Sequence, residues 1–127
     1  MMKLRIARPS VDLAKAEEFY CSILGMKKLG SFHGHDGFDG IMLGFEGHPY
    51  HIEFTIHHSN QIMPTPTVED LLVFYIPDPQ KWNEFLGRIQ SEDITPVQSH
   101  NPYWDQKGIT IVDPDGYRIV ITNRQWN

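Results

Sequence analysis

The chain has one cysteine, Cys21, among 127 residues. No internal disulfide can form, and a reducing compartment is expected. Basic charge is also scarce: 11 Lys and Arg stand against 16 Asp and Glu, for a formal net charge of -5. The basic residues form no cluster, so the electrostatic footprint of a nucleic-acid-binding protein is missing. Long uncharged apolar runs are absent, and the opening Met-Met-Lys-Leu-Arg-Ile-Ala-Arg carries no apolar signal core. These absences lead to the expectation of a cytoplasmic protein with no membrane and no nucleic acid as partner. The glycine-rich stretch 33–40 has neither phosphate-loop spacing nor a following helix, which argues against a nucleotide cradle. No nucleophile-elbow sequence or paired-carboxylate motif occurs, and nothing beside Cys21 in sequence marks an activated thiolate. What remains is an ordinary globular composition, 40% hydrophobic and 21% charged, long enough for one domain with its own core.

The most informative stretch is Tyr50-His51-Ile52-Glu53-Phe54-Thr55-Ile56-His57. Its period of two predicts a strand with Tyr50, Ile52, Phe54 and Ile56 on an apolar layer. The other face carries His51, Glu53, Thr55 and His57, an unusual row for a merely solvated surface. Glu53 either binds something, answers another charge, or is simply wet.

Around this strand the chain reads as two similar halves. Residues 3–8 predict a short strand ended by Pro9, with Ser10 or Asp12 capping a helix over 13–24. Ala16, Phe19, Tyr20, Ile23 and Leu24 form its apolar stripe, and Gly25 stops it. Strands follow over 26–32 and 41–45, separated by a polar loop, His33 to Gly40, and then comes the strand at 50–57. Pro64 and Pro66 make the clearest linker, set at 59–68. The pattern then restarts. A strand is expected at 71–76, and a helix capped by Asp78 and started by Pro79 follows, with Trp82, Phe85, Leu86 and Ile89 as its stripe. A short strand at 95–98, a loop at 101–108, and a hairpin turning on Asp113-Pro114-Asp115-Gly116 complete the second half. Asp12 matches Asp78, Glu18-Phe19 matches Glu84-Phe85, and Tyr50 to Thr55 matches Tyr117 to Thr122. The repeat is about 66 residues long, the kind of period that decides an architecture. One helix cannot cover both faces of a sheet, so the second face must meet its twin or enclose a ligand.

With Asp12-Leu13, Phe19-Tyr20, Leu24-Gly25-Met26, Ile52-Glu53-Phe54-Thr55 and Asp113-Pro114-Asp115-Gly116 in this order, the chain resembles the vicinal oxygen chelate superfamily. That group holds glyoxalase I, fosfomycin-resistance transferases, extradiol dioxygenases and bleomycin-resistance proteins. The resemblance covers nearly the whole chain and looks closest to the small, uncharacterised bacterial glyoxalase-like members. It implies an α+β fold of two βαβββ units, 1–58 and 69–124, with curved mixed sheets enclosing a cup-shaped pocket and helices on the outer face. It also implies a homodimer.

The resemblance further implies metal ligands on the first and last strands of each unit. Carried over position by position, these fall on Arg5, Glu53, Leu71 and Val120, so one ligand type of four survives. Zinc needs at least three protein ligands, and a guanidinium repels a cation. The expectation is therefore no metal cofactor, with Arg5 and Glu53 paired where the ion would sit. In one reading the pair is only structural. In another, Arg5 binds an anionic ligand group and Glu53 orients it. A third keeps a displaced divalent metal on His51 and Glu53, with help from His33, His35 or Asp36 in a closing loop. Ligand contacts are expected from Arg5, His51, Glu53, Thr55, Tyr75, Tyr103, Trp104 and Arg118. Tyr103 and Trp104 could equally pack on a sheet edge or a second subunit. His48, His58 and His100 read as surface or turn residues. The leading expectation is a metal-free protein that binds a small organic molecule, anionic or aromatic. The alternative is a metal-dependent lyase, glutathione or thiol transferase, or dioxygenase.

Overall fold

The computed structural model describes residues 1–126, which divide into two compact units, Met1–Pro64 and Thr65 onward. The chain has an α+β architecture of two βαβββ-type units, the second with the strand after its helix reduced to a bridge. No helix among the described residues is long and apolar enough to cross a membrane.

The first unit runs β1 (Leu4–Pro9), α1 (Leu13–Leu24), β2 (Lys27–His35), β3 (Phe38–Gly44) and β4 (Tyr50–His57). Its sheet has the order β1-β4-β3-β2, with β1 parallel to β4 and the other pairs antiparallel. Asp12 caps α1 by accepting from the Lys15 N–H at 3.1 Å, and the helix ends at Gly25, as the sequence predicts. The helix lies against β2, β3 and β4 and buries Ala16, Phe19, Tyr20 and Ile23. The strands meet it with Ile41, Leu43, Ile52 and Phe54, all buried. Tyr20 and Phe54 are both fully buried, with ring centroids 5.1 Å apart. Alternation then sends Arg5, Met42, His51, Glu53 and Thr55 to the face away from α1.

Residues 33–40 do not form an open loop. β2 continues through His35, β3 begins at Phe38, and Asp36-Gly37 make a two-residue turn. Both turn residues have positive φ, 52° and 83°, the twist that a tight hairpin requires. The Asp-Gly pair was the signal, hidden by the surrounding histidines and glycines. Gly40 is fixed for a different reason: the Phe32 ring lies directly on it, where a Cβ would collide.

The second unit runs β5 (Leu71–Tyr75), α2 (Pro79–Ser91), a 3-10 turn (Pro102–Asp105), β6 (Gly108–Val112) and β7 (Arg118–Thr122). Its sheet order is β5-β7-β6, with β5 parallel to β7. Asp78 accepts from the Gln80 N–H at 3.2 Å, with Pro79 at the start of α2. The strand expected at 95–98 is reduced to a single bridge, Val97 opposite Thr110. The next N–H that would face β6, that of Ser99, donates to the Asp105 carboxylate instead, at 3.1 and 3.2 Å, so the ladder stops after one rung. The Asp113 carboxylate organises the last turn by accepting from the Asp115 and Tyr117 N–H groups, each at 2.9 Å. Ile111, Ile119 and Ile121 are buried, and so are Thr110, Val120 and Thr122 on the alternate face.

Candidate functional site

In the first unit the sequence brings a cation, an imidazole and a carboxylate into one cluster. Parallel pairing sets Arg5 beside His51 and Ala7 beside Glu53. Arg5 Nε donates to His51 Nε2 at 2.9 Å, and Arg5 Nη1 donates to Glu53 Oε2 at 3.2 Å. Accepting from Arg5 requires His51 to carry its proton on Nδ1. The Arg5 side chain is 48% exposed and that of Glu53 14%, so the carboxylate is the sheltered partner. Two of the five guanidinium N–H donors are engaged in these contacts.

A hollow of about 270 Å³ opens further along the same strands. Its walls include Ala7, Pro9, Phe38, Thr55, His57 and Ile62. Ala7, Thr55, His57 and Phe38 share the face of Glu53 by register. Phe38 and His57 meet edge to face, with centroids 4.6 Å apart. Thr55 therefore lines the hollow, whereas Arg5, His51 and Glu53 stand beside it rather than at its centre. His57 is held by Ser59 and Asn60, whose N–H groups donate to its Nδ1 at 3.2 and 2.9 Å.

The sequence candidates of the second unit gather in part. Tyr75 and Tyr103 line a hollow of about 420 Å³ together with Lys107, Arg124, Gln125 and Trp126. Arg124 stacks over the Tyr103 ring at 4.4 Å from its centroid and donates to Gln106 Oε1 at 3.0 Å. Trp104 meets Tyr103 edge to face but does not line that hollow, and Arg118 donates instead to the Gln98 carbonyl at 3.2 Å. Lys107 and Arg124 were missed because single basic residues near a strand end give no periodic signal. The Thr110 hydroxyl is fully buried and has no hydrogen-bond partner among the described residues.

A separate group lies at the far end of β3. His33 Nδ1 and His58 Nε2 both contact Asp39 Oδ1, at 2.8 and 2.7 Å, and the Gly34 N–H donates to the same oxygen at 2.9 Å. Partial burial pushes the Asp39 carboxyl up, but the Gly34 N–H and the two imidazoles outweigh it and hold the group below the usual carboxylate range. His58, expected as a plain turn residue, is thus part of a cluster. Asp39 was not singled out at all, since only the hairpin register shows that it stands near His33.

The two βαβββ units, each with its first strand laid parallel to its last, define the class: a vicinal oxygen chelate protein. A solved YycE protein of Bacillus subtilis, of unknown function and provisionally described as a glyoxalase/fosfomycin-resistance protein, superposes with a TM-score of 0.89 at 38% identity, over 98% of this chain and 91% of that one. The uncharacterized protein YycE of Bacillus subtilis strain 168 is 40% identical over 121 residues, 95% of this chain and 87% of the relative. The chain belongs to the YycE-like family, matching its N-terminal domain over residues 4–55 and its C-terminal domain over 69–123. The fold is shared more distantly with TnmS3, an antibiotic binding protein from Streptomyces sp. CB03234, at a TM-score of 0.66 and 18% identity, over 96% of this chain and 93% of that one.

Proposed function

We propose that this chain is a small-molecule-binding protein of the glyoxalase/bleomycin-resistance type, working without the metal of the catalytic branches. The observation that carries the reading is the Arg5 guanidinium, hydrogen-bonded to both His51 and Glu53 at the position where the resemblance puts a metal ligand. A fixed cation there opposes a metal ion and favours an anionic group. Arg5 offers its remaining N–H donors to a carboxylate or similar anion. Ala7, two residues further and so about 7 Å along the strand, begins the hollow that takes the ligand's apolar body. Phe38 and Ile62 supply its apolar wall, and Thr55 and His57 supply polar contacts. At about 270 Å³ it lies near the lower end of ordinary ligand cavities (~300 Å³), so the ligand is a compact organic anion. TnmS3 supports a binding role on this fold only by analogy. We extend the proposal to a homodimer in a cytoplasmic setting.

The alternative is a metal-dependent lyase, transferase or dioxygenase using His51 and Glu53. It requires Arg5 to leave both residues, since the His51 Nε2 lone pair already accepts from Arg5. Isothermal titration with matched pairs of small aryl carboxylates and their neutral amides separates the two readings. Binding of the acids alone, reduced at least about tenfold in Arg5→Gln, is expected. Equal binding of acid and amide, or stoichiometric metal that is lost in Glu53→Gln, would overturn the proposal.

A further inference from the structure

We infer that His33, Asp39 and His58 form a binding site for one divalent first-row transition-metal ion of the zinc, nickel or cobalt type, apart from the Arg5 cluster. Each offers one ligand atom, and the three atoms lie within 4.8 Å of one another. Two imidazoles and one carboxylate are the donor set that such ions prefer over calcium or magnesium. Three protein ligands satisfy the minimum for zinc and leave a further position for water.

Two of the three donor separations are already close to what an ion needs. Donor atoms around a tetrahedral zinc stand about 3.3 Å apart, given metal–ligand bonds of ~2.0–2.1 Å. The nitrogen-to-oxygen separations here, 2.8 and 2.7 Å, are those of a shared proton. Replacing the proton by an ion asks each imidazole to withdraw by about half an ångström. His33, with 84% of its side chain exposed, is free to do so, and His58 at 45% has room as well. Neutral imidazoles need only move their ring proton to the other nitrogen to present a lone pair. Asp39 stays anchored meanwhile, because the Gly34 N–H holds its Oδ1.

Strand alternation separates this site from the cluster around Arg5. Asp39 shares its side of β3 with Ile41 and Leu43, which are buried on the face that meets α1. Glu53 pairs with Met42 and points away from that face. The two clusters therefore occupy opposite faces of one sheet. An ion on the first would clamp the β2–β3 hairpin to the end of β4. The His58 N–H already donates to the Gly37 carbonyl there at 2.8 Å.

The test uses untagged, chelator-stripped protein and titrates zinc chloride and then cobalt chloride alone. One ion per chain is expected, with cobalt giving the visible absorption of a low-symmetry, nitrogen- and oxygen-ligated centre. His33→Ala and His58→Gln should each weaken zinc binding by about a hundredfold, since even an outer-shell partner costs 10–100-fold. His33 is so exposed that its variant should fold normally, which circular dichroism checks. Glu53→Gln should bind zinc as the parent does, so failure of the small-molecule reading above leaves this inference standing, and the reverse. No saturable zinc binding, or binding unchanged in both histidine variants, overturns it.

Discussion

Removing the guanidinium by Arg5→Leu leaves Glu53 on a sheltered strand without its cation. Two limits bracket the cost. An exposed ion pair contributes about 0–1 kcal/mol, and stranding a fully buried charge costs about 3–5 kcal/mol. The Arg5–Glu53 pair lies between them, because Glu53 is 14% exposed and Arg5 48%. The contact is also a single 3.2 Å bond to one carboxylate oxygen rather than a parallel fork, since Arg5 Nε is turned to His51. A loss of about 1.5 kcal/mol follows for Arg5→Leu, nearer the surface limit. The double variant Arg5→Leu with Glu53→Leu should recover about 1 kcal/mol relative to the sum of the single changes, which is the coupling of neighbours in direct contact. Urea unfolding of the parent, both singles and the double gives this coupling directly, and raising the salt should shrink it. A coupling within about 0.3 kcal/mol of zero, the scatter of independent sites, would show that the pair is held by its surroundings and contributes nothing itself.

Asp113→Ala removes one buried oxygen that satisfies two N–H groups, so a loss of about 2 kcal/mol in urea unfolding is expected, with Asp113→Asn costing less. A loss below about 0.5 kcal/mol would mean the turn does not depend on it. Gly37→Ala combines a φ of +83° with a new Cβ only 2.5 Å from His57 Nε2, whereas Gly34→Ala at φ +69° meets nothing within 4 Å. Gly37→Ala should therefore cost more than the roughly 1–2 kcal/mol of the backbone conformation alone, and equal losses at the two positions would refute the steric argument. For Cys21, burial and then Glu17 push the thiol up while Lys28 pulls it down less strongly, so the net shift is upward. Its alkylation by iodoacetamide should thus rise with pH later than that of a free cysteine, and a midpoint at or below about 8.5 would contradict this.

The repeat, both helices and the strand at 50–57 were legible because each rests on local chemistry: Asp12 and Asp78 as caps, apolar stripes at helical spacing, strict alternation through Glu53. The pairing of Arg5 with Glu53 was legible only through the family resemblance, since 48 residues separate them in sequence. The partnership of Arg5 with His51 was not foreseen, because it depends on the parallel register of β1 and β4. The cluster of His33, Asp39 and His58 stayed hidden for a related reason. Reading 33–40 as a loop left no register in which Asp39 could face a histidine. The Asp36-Gly37 turn pair carries that register in the sequence, but the glycines around it mask the signal. In the second unit, Trp82 was expected in the core but is half-buried, stacked on Phe85 with centroids 5.9 Å apart.

In each unit the strand that begins the fold pairs with the strand that ends it, β1 with β4 and β5 with β7. That closing pair joins the most distant parts of the unit, so it carries the largest loop-closure entropy and is expected to form late on the folding path. The antiparallel run β2-β3-β4 can zip from local turns before β1 arrives. Arg5 rides on β1 and reaches His51 and Glu53 only at that last docking. Contacts absent from the transition state govern how slowly a protein comes apart rather than how fast it assembles. The cation that defines the candidate site is accordingly expected to set the lifetime of the folded unit, and any anion held on Arg5 would lengthen it.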